Sequence, residues 1–173
     1  SWTSNPSGFT SSLSKPSVSP TITTTYYLTE TITSTSCNKT DSAIITVNPL
    51  PAANAGTSKS ICLGGGTTIG AAAVSGNTYS WTSNPTGFTS TQANPSVSPT
   101  KTTTYTLTET VTATTCNKSN TVVVTVNPLP KATVGSAKSA CANSTVTIGG
   151  AAVTGNTYSW TSKPTGFSST LSN

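Results

Sequence analysis

An internal repeat with a period of 79 residues constrains the fold of this chain more than any other feature of its sequence. The hexapeptide at 1–6 returns unchanged at 80–85, and it returns with one substitution at 159–164. The alignment needs no gap, and it superimposes the four cysteines in two pairs. A fixed long period indicates an array of equivalent units. Because the period exceeds that of solenoid repeats, we expect each unit to be one small independent domain.

Proline-rich segments at 48–51 and 127–130 mark the boundaries between units. Both read Asn-Pro-Leu-Pro, and prolines cannot donate ladder N–H groups and bias the preceding residue towards extended conformations. We therefore divide the chain into a first segment (1–51, the C-terminal part of a unit), a complete central unit (52–130) and a last segment (131–173, the N-terminal part of a further unit). Neither end of the sequence falls at a boundary, so we expect a longer array or partial units completed by neighbouring chains.

Short strands separated by turns fill the central unit. Strict alternation of residue types over 102–111 predicts a strand with one buried face. Further strands are predicted at 67–74, 78–82 and 121–126, with a hairpin tip at 116–119. No segment has the apolar spacing of a helix. The predicted fold class is all-β, with tandem immunoglobulin-like β-sandwich modules at the 79-residue period.

The cysteines permit two pairing schemes. Cys62–Cys116 would lie within one unit, whereas Cys37–Cys62 and Cys116–Cys141 would cross the linkers. Loop-closure entropy gives about 4 kcal/mol for the first scheme and about 3.5 kcal/mol for the second, which does not decide between them. We favour Cys62–Cys116 because it lets each unit fold alone, with Cys37 and Cys141 paired to residues outside this sequence. Paired thiols imply an oxidising, extracytoplasmic location.

The residue inventory argues against catalysis and against metal or cofactor binding. The chain has no His and only three acidic residues, so a Ser-His-Asp triad and zinc or calcium sites lack their groups. Its lysines are scattered singly and Arg is absent, unlike the basic patches of nucleic-acid-binding proteins. No apolar run reaches the length of a membrane span. We therefore predict a non-enzymatic protein with no cofactor, no nucleic-acid partner and no membrane span.

Four motifs and a late cysteine carry a resemblance to a known family. They are Tyr-Ser-Trp-Thr-Ser-Asn-Pro at 79–85, Asn-Pro-Ser-Val-Ser-Pro-Thr at 94–100, Thr-Thr-Thr-Tyr-Thr-Leu-Thr at 102–108 and Val-Thr-Val-Asn-Pro at 124–128. Together they resemble the Ig-like/PKD-like tandem repeats of Bacteroidetes cell-surface adhesins and gliding-associated proteins, which are exported by the type IX secretion system. The resemblance covers the whole chain, and it implies an extracellular, cell-surface protein.

The resemblance also implies roles for the aromatic residues. Trp81 would be the core tryptophan of an Ig-type sandwich and Tyr105 its tyrosine-corner residue. Trp2, Trp160 and Tyr26 occupy the equivalent places in the partial units. The usual second cysteine of the family pattern is replaced by Leu107, so the disulfide departs from that pattern.

Aromatic residues could instead form a binding surface. Tyr79 and Trp81 lie two residues apart on one strand face, where core packing competes with a sugar-stacking platform. The expected function is thus a structural repeat segment of a secreted bacterial surface fibre or adhesin stalk. The alternative is a multivalent carbohydrate- or surface-binding module. The expected partners are neighbouring copies of the same protein, through fibre formation or strand complementation, and surface glycans.

Four residues fit glycosylation patterns. Asn38, Asn117 and Asn143 fit the Asn-x-Ser/Thr sequon. Ser42, in Asp41-Ser42-Ala43, resembles the O-glycosylation pattern of Bacteroidetes.

Overall fold

The structure is a computed structural model that describes residues 1–172, and across these residues the fold is all-β, without an α-helix. The strands of the first segment are β1 (Trp2–Asn5), β2 (Thr10–Ser11), β3 (Thr24–Thr31) and β4 (Asn38–Ile45). Those of the central unit are β5 (Lys59–Cys62), β6 (Thr67–Thr68), β7 (Asn77–Asn84), β8 (Ser96–Val97), β9 (Thr103–Val111) and β10 (Asn117–Asn127). The last segment contains β11 (Trp160–Thr161) and β12 (Ser168–Ser169).

Two sheets face each other in the central unit. The larger has the order β5-β10-β9-β7, and the smaller pairs β6 with β8. Strands β7, β9 and β10 pair antiparallel, whereas β5 runs parallel to β10. This arrangement is consistent with a β-sandwich.

The core of the central unit follows from alternation along its strands. In β9 the predicted inward residues Thr103, Tyr105, Leu107 and Glu109 are buried, while the residues between them are half-buried. Successive side chains of a strand point to opposite faces, so one face of β9 meets the second sheet. The buried apolar cluster comprises Ala55, Ile69, Trp81, Val97, Tyr105, Leu107, Val122 and Val124.

Two predicted elements of the central unit were wrong in extent. The strand expected at 67–74 contains only Thr67–Thr68, because Gly70 adopts a φ of +84° and turns the backbone out of the ladder. The hairpin tip expected at 116–119 lies earlier, since residue 115 has a positive φ and β10 already begins at Asn117.

The two partial units keep part of the same architecture. The first segment forms a sheet of order β2-β1-β3-β4, in which every residue of β4 is exposed. The last segment has only the β11–β12 pair. Residues 131–159 of this segment repeat turns of the central unit, but the structure describes no strand among them.

Local geometry recurs at positions 79 residues apart. The peptide bonds Asn5–Pro6, Asn84–Pro85 and Lys163–Pro164 are all cis. In each copy a serine hydroxyl binds the same loop: Ser83 Oγ donates to the carbonyl of Pro85 and accepts from the amide of Phe88. The first and last segments repeat both bonds.

The backbone enters and leaves the central unit at opposite ends of its larger sheet. Near the start, the Ala53 amide donates to Glu109, whose strand partner is Lys118 at the beginning of β10. The chain leaves from Asn127, at the far end of β10. At about 3.3 Å per residue, these two ends lie about 30 Å apart.

Within residues 1–172, no helix is long and apolar enough to cross a membrane.

Candidate interaction surfaces

The strand face that carries Tyr79 and Trp81 points into the core. Trp81 is 1% exposed, and its indole N–H donates to the carbonyl of Gln92 at 2.9 Å. Tyr79 packs against the core cluster, and its hydroxyl accepts the amide N–H of Val74 at 2.7 Å. The Trp81 ring is therefore covered and unable to stack on a sugar, while the Tyr79 ring is half-buried.

Tyr105 joins the core to a surface loop. The ring of Phe88 meets it edge to face, with centroids 5.2 Å apart. Burial raises the pKa of the Tyr105 phenol above its ordinary value, and a hydrogen bond with Thr103 partly opposes this effect. A groove of about 320 Å³ is lined by the two rings and by Pro85 and Lys101.

Glu109 is a buried carboxylate that the sequence analysis did not single out as a site. It is 3% exposed, and its two oxygens accept the Ala53 amide at 2.8 Å and the Asn77 side-chain amide at 2.7 Å. These bonds tie the start of the unit and the start of β7 to β9. The signal in the sequence was its inward position in the alternating strand, between Leu107 and Val111. Its partners lie far away in sequence, so the alternation alone could not reveal them.

Trp81, Tyr105 and Glu109 thus belong to the interior of the central unit, where the polar groups are hydrogen-bonded. Among the described residues, every buried side-chain nitrogen and oxygen has a hydrogen-bond partner.

The sequence matches no protein-family model and no curated protein. In the part of the chain that the structure covers, no three His, Cys, Asp or Glu residues are grouped as metal ligands would be.

The predicted disulfide within the central unit is wrong. All four cysteines are free thiols. Cys62 lies opposite Asn127, whereas Cys116 precedes Asn117 at the other end of β10. The ends of this strand are about 33 Å apart, and a disulfide needs its two Cα atoms within about 7 Å. The two cysteines lie far apart because β5 pairs parallel with β10, which the sequence did not reveal.

The first segment leaves the corresponding core residues open. Tyr26 is buried, but Trp2 is only half-buried. Ile45 is 41% exposed, although its equivalent Val124 is fully buried. Trp2, Tyr26 and Ile45 line an open cavity of about 310 Å³.

The last segment is open on the complementary side. Val134 is 64% exposed and Ile148 is 43% exposed, whereas their equivalents Ala55 and Ile69 are buried. Cavities of about 600 and 520 Å³ flank the half-buried Trp160. The two partial units therefore expose apolar surface that the central unit buries.

The candidate glycosylation residues are all accessible. Asn38, Ser42, Asn117 and Asn143 are exposed. Asn38 and Asn117 begin strands next to a hairpin turn, while Asn143 lies in a turn with a φ of +64°.

Proposed function

We propose that this chain is a structural segment of a secreted bacterial surface fibre or adhesin stalk, without catalysis. The observation that carries the proposal is the path of the backbone through the central unit, from Ala53 at one end to Asn127 at the other. Units linked in this way extend end to end, because each begins where the previous one ends. The proline-rich linkers support the proposal, since they stiffen the joints.

The proposed units are tandem immunoglobulin-like sandwiches with a period of 79 residues. The parallel first strand beside the last strand, the buried Trp81 in β7 and the buried Tyr105 in β9 support this assignment. The recurrence of the serine-bonded loop in all three copies supports the period. The absence of a disulfide in the described chain separates these units from the antibody-type pattern.

A location outside the cell, at the bacterial surface, is part of the proposal. Its support is the hydroxyl-rich, sparsely charged composition, with 6% charged residues, and the resemblance of the four sequence motifs to Bacteroidetes surface repeats. Neighbouring copies and surface glycans are the proposed partners.

Single-molecule stretching tests the stalk. We expect each complete unit to unfold in one step and lengthen the chain by about 25 nm, as 79 residues extend at about 3.6 Å each from a folded unit of a few nanometres. A tandem chain of three complete units should give three equal steps. Steps of irregular length, or a trace without steps, would contradict the proposal.

Glycan binding is the second candidate, and the groove beside Phe88 favours it because it offers aromatic and polar groups at the surface. A glycan array should then retain the tandem chain and lose the Phe88→Ala variant. Equal signals from both proteins would remove this candidate.

A further inference from the structure

We propose that the contact between β5 and β10 is a mechanical clamp, which sets the force that the central unit withstands when the chain is pulled. A clamp has a role only in a chain that carries tension, so the proposal rests on the proposed stalk function. Both strands belong to the complete central unit, where the chain enters at Ala53 and leaves at Asn127. We call these two sides of the unit the entry end and the exit end.

The direction of the load follows from the path of the chain. Tension on the preceding linker pulls Ala53 away from the entry end, and tension on the following linker pulls Asn127 away from the exit end. Strand β5 runs parallel to β10, with Lys59 opposite Val124 and Cys62 opposite Asn127. The two strands are therefore drawn along their own axes in opposite directions. This load shears the hydrogen bonds between them, and sheared bonds share the load and have to break together.

The ladder between the two strands reaches the last residue of β10. The Leu63 amide donates to the Asn127 carbonyl at 2.9 Å. Since successive amides of a strand point to opposite sides, the amides of Ile61 and Lys59 also face β10. Pro128 follows Asn127 and has no N–H, so the ladder does not continue into the linker. Tension on the linker thus acts on β10 at its last paired residue.

A side-chain bond fastens the same end of β10 to β5. The side-chain amide of Asn127 donates to Ser60 Oγ at 2.7 Å. The repeat keeps both residue types, because Asn48 and Ser139 stand at the equivalent positions. The asparagine of the Val-Asn-Pro motif therefore has a specific part in the clamp.

The chain between the entry end and β5 is held by single hydrogen bonds rather than by a ladder. The Ala53 amide donates to Glu109, and the Ala55 carbonyl accepts from the Gly70 amide. These bonds follow one another along the loaded chain, so each carries the full tension in its turn. We expect them to open first, after which the contact of β5 with β10 decides the unfolding force.

Strand β5 separates from β10 before β9 does, because its ladder is shorter. β9 pairs with β10 over Asn117–Val124, whereas β5 has only four residues. Ile61 of β5 packs against the buried core cluster. Separation of β5 therefore opens the core, and the rest of the unit should unfold in the same step.

Stretching the central unit in two directions tests the clamp. In the full chain, with the four native cysteines replaced by Ser, pulling handles are attached through Ala52→Cys and Leu129→Cys, two exposed positions. This pair loads β5 and β10 in shear. A second chain carries its handles at Ala52→Cys and at the exposed Ala113→Cys. Both of these positions lie at the entry end, so the pull peels β5 from β10 one bond at a time.

We expect a high unfolding force for the first pair of handles and a clearly lower force for the second, although the same bonds break in both. Equal forces in the two directions would overturn the clamp. Regular steps from a tandem chain together with equal forces here would reject the clamp and leave the stalk. A directional difference without regular steps from the tandem chain would reject the stalk.

A side-chain variant and its matched control locate the load. With handles at 52 and 129, Asn127→Ala should unfold about 5-fold faster at a given force, because it removes one hydrogen bond of the clamp. The control is Thr108→Val, which removes the exposed bond between Thr108 Oγ1 and Ser119 Oγ at 2.9 Å, across β9 and β10. Both variants should shift the midpoint of urea unfolding alike, whereas only Asn127→Ala should change the unfolding rate under force. Equal rates under force for the two variants would place the load outside the contact of β5 with β10 and overturn the proposal.

Discussion

At the scale of single residues, buried hydrogen bonds and close backbone contacts hold the central unit together. Glu109 connects three parts of the chain that are distant in sequence, through the two bonds it accepts from Ala53 and Asn77. A buried donor that loses its acceptor costs the desolvation energy of that group. The same residue type at Glu30 is exposed and has no such bonds, which provides an internal comparison.

Glu109→Gln should lower the free energy of unfolding by about 1–3 kcal/mol. The amide nitrogen of Gln would face a donor, either the Ala53 N–H or the Asn77 amide. Urea denaturation of dilute protein, followed by circular dichroism, measures the change. Glu30→Gln is the control and should shift the midpoint little, and equal shifts for the two variants would contradict this account.

Gly70 is required by both its conformation and its surroundings. Its φ is +84°, and a Cβ at this position would lie 2.1 Å from the carbonyl oxygen of Ala93. Gly76 has a similar φ of +81°, but a Cβ there would meet open space. Alanine substitutions at Gly70 and Gly76 therefore separate the destabilisation caused by the backbone conformation from that caused by the clash.

Gly70→Ala should destabilise the central unit by about 1–3 kcal/mol more than Gly76→Ala, because the clash forces the backbone near Ala93 to move. Thermal unfolding of the two variants measures the difference. If both variants lower the melting temperature equally, the clash at Gly70 adds no destabilisation beyond that of the backbone conformation.

At the scale of elements, the parallel pairing of β5 with β10 decides where the cysteines lie. It brings Cys62 to the end of β10 where the chain leaves the unit, while Cys116 stays at the end where the chain enters. The sequence showed that the cysteines recur at the same spacing in each repeat, but it did not show the direction of β5. A short strand of four residues can pair in either direction, and only the packing of the complete sheet selects one.

A reductant should therefore leave the stability of the central unit unchanged. We expect the melting temperature of a chain containing residues 52–130 to be the same with and without a phosphine reductant, and to change little in the Cys62→Ser, Cys116→Ser double variant. An intra-unit disulfide would instead contribute about 4 kcal/mol, which a melting curve would readily detect.

The alternating strand β9 illustrates which elements the sequence could predict. Its period of two identified the inward residues Tyr105 and Leu107 correctly, because a strand with one buried face needs that pattern. The predicted strand at 67–74 was wrong in extent since Gly70 turns the chain at a place where Ala93 and Trp81 leave no room for a Cβ. Contacts between distant residues leave no periodic signal.

At the scale of the whole molecule, the central unit carries a complete core and the flanking segments do not. Its eight-residue buried cluster comes entirely from 52–130. The equivalent residues Ile45, Val134 and Ile148 of the flanks are between 41% and 64% exposed. The stability of the described chain should therefore reside mainly in the central unit.

An excised fragment of residues 52–130 should fold as a monomer and melt at the temperature of the central unit in the full chain. Circular dichroism and light scattering measure both properties. Aggregation of the folded fragment, or failure to fold, would mean that the central unit depends on the flanking segments.

The sequence by itself showed the 79-residue repeat and predicted the all-β character, because these depend on composition and on periods that are local in the chain. The unit boundaries at the proline-rich linkers stay a prediction. The tertiary structure alone decided the strand order, the burial of Glu109 and the separation of Cys62 from Cys116. It also decided that the backbone enters and leaves the central unit at opposite ends of its sheet. These features depend on contacts between residues distant in the sequence, such as Ala53 and Glu109, whose energies depend on the whole sheet being assembled.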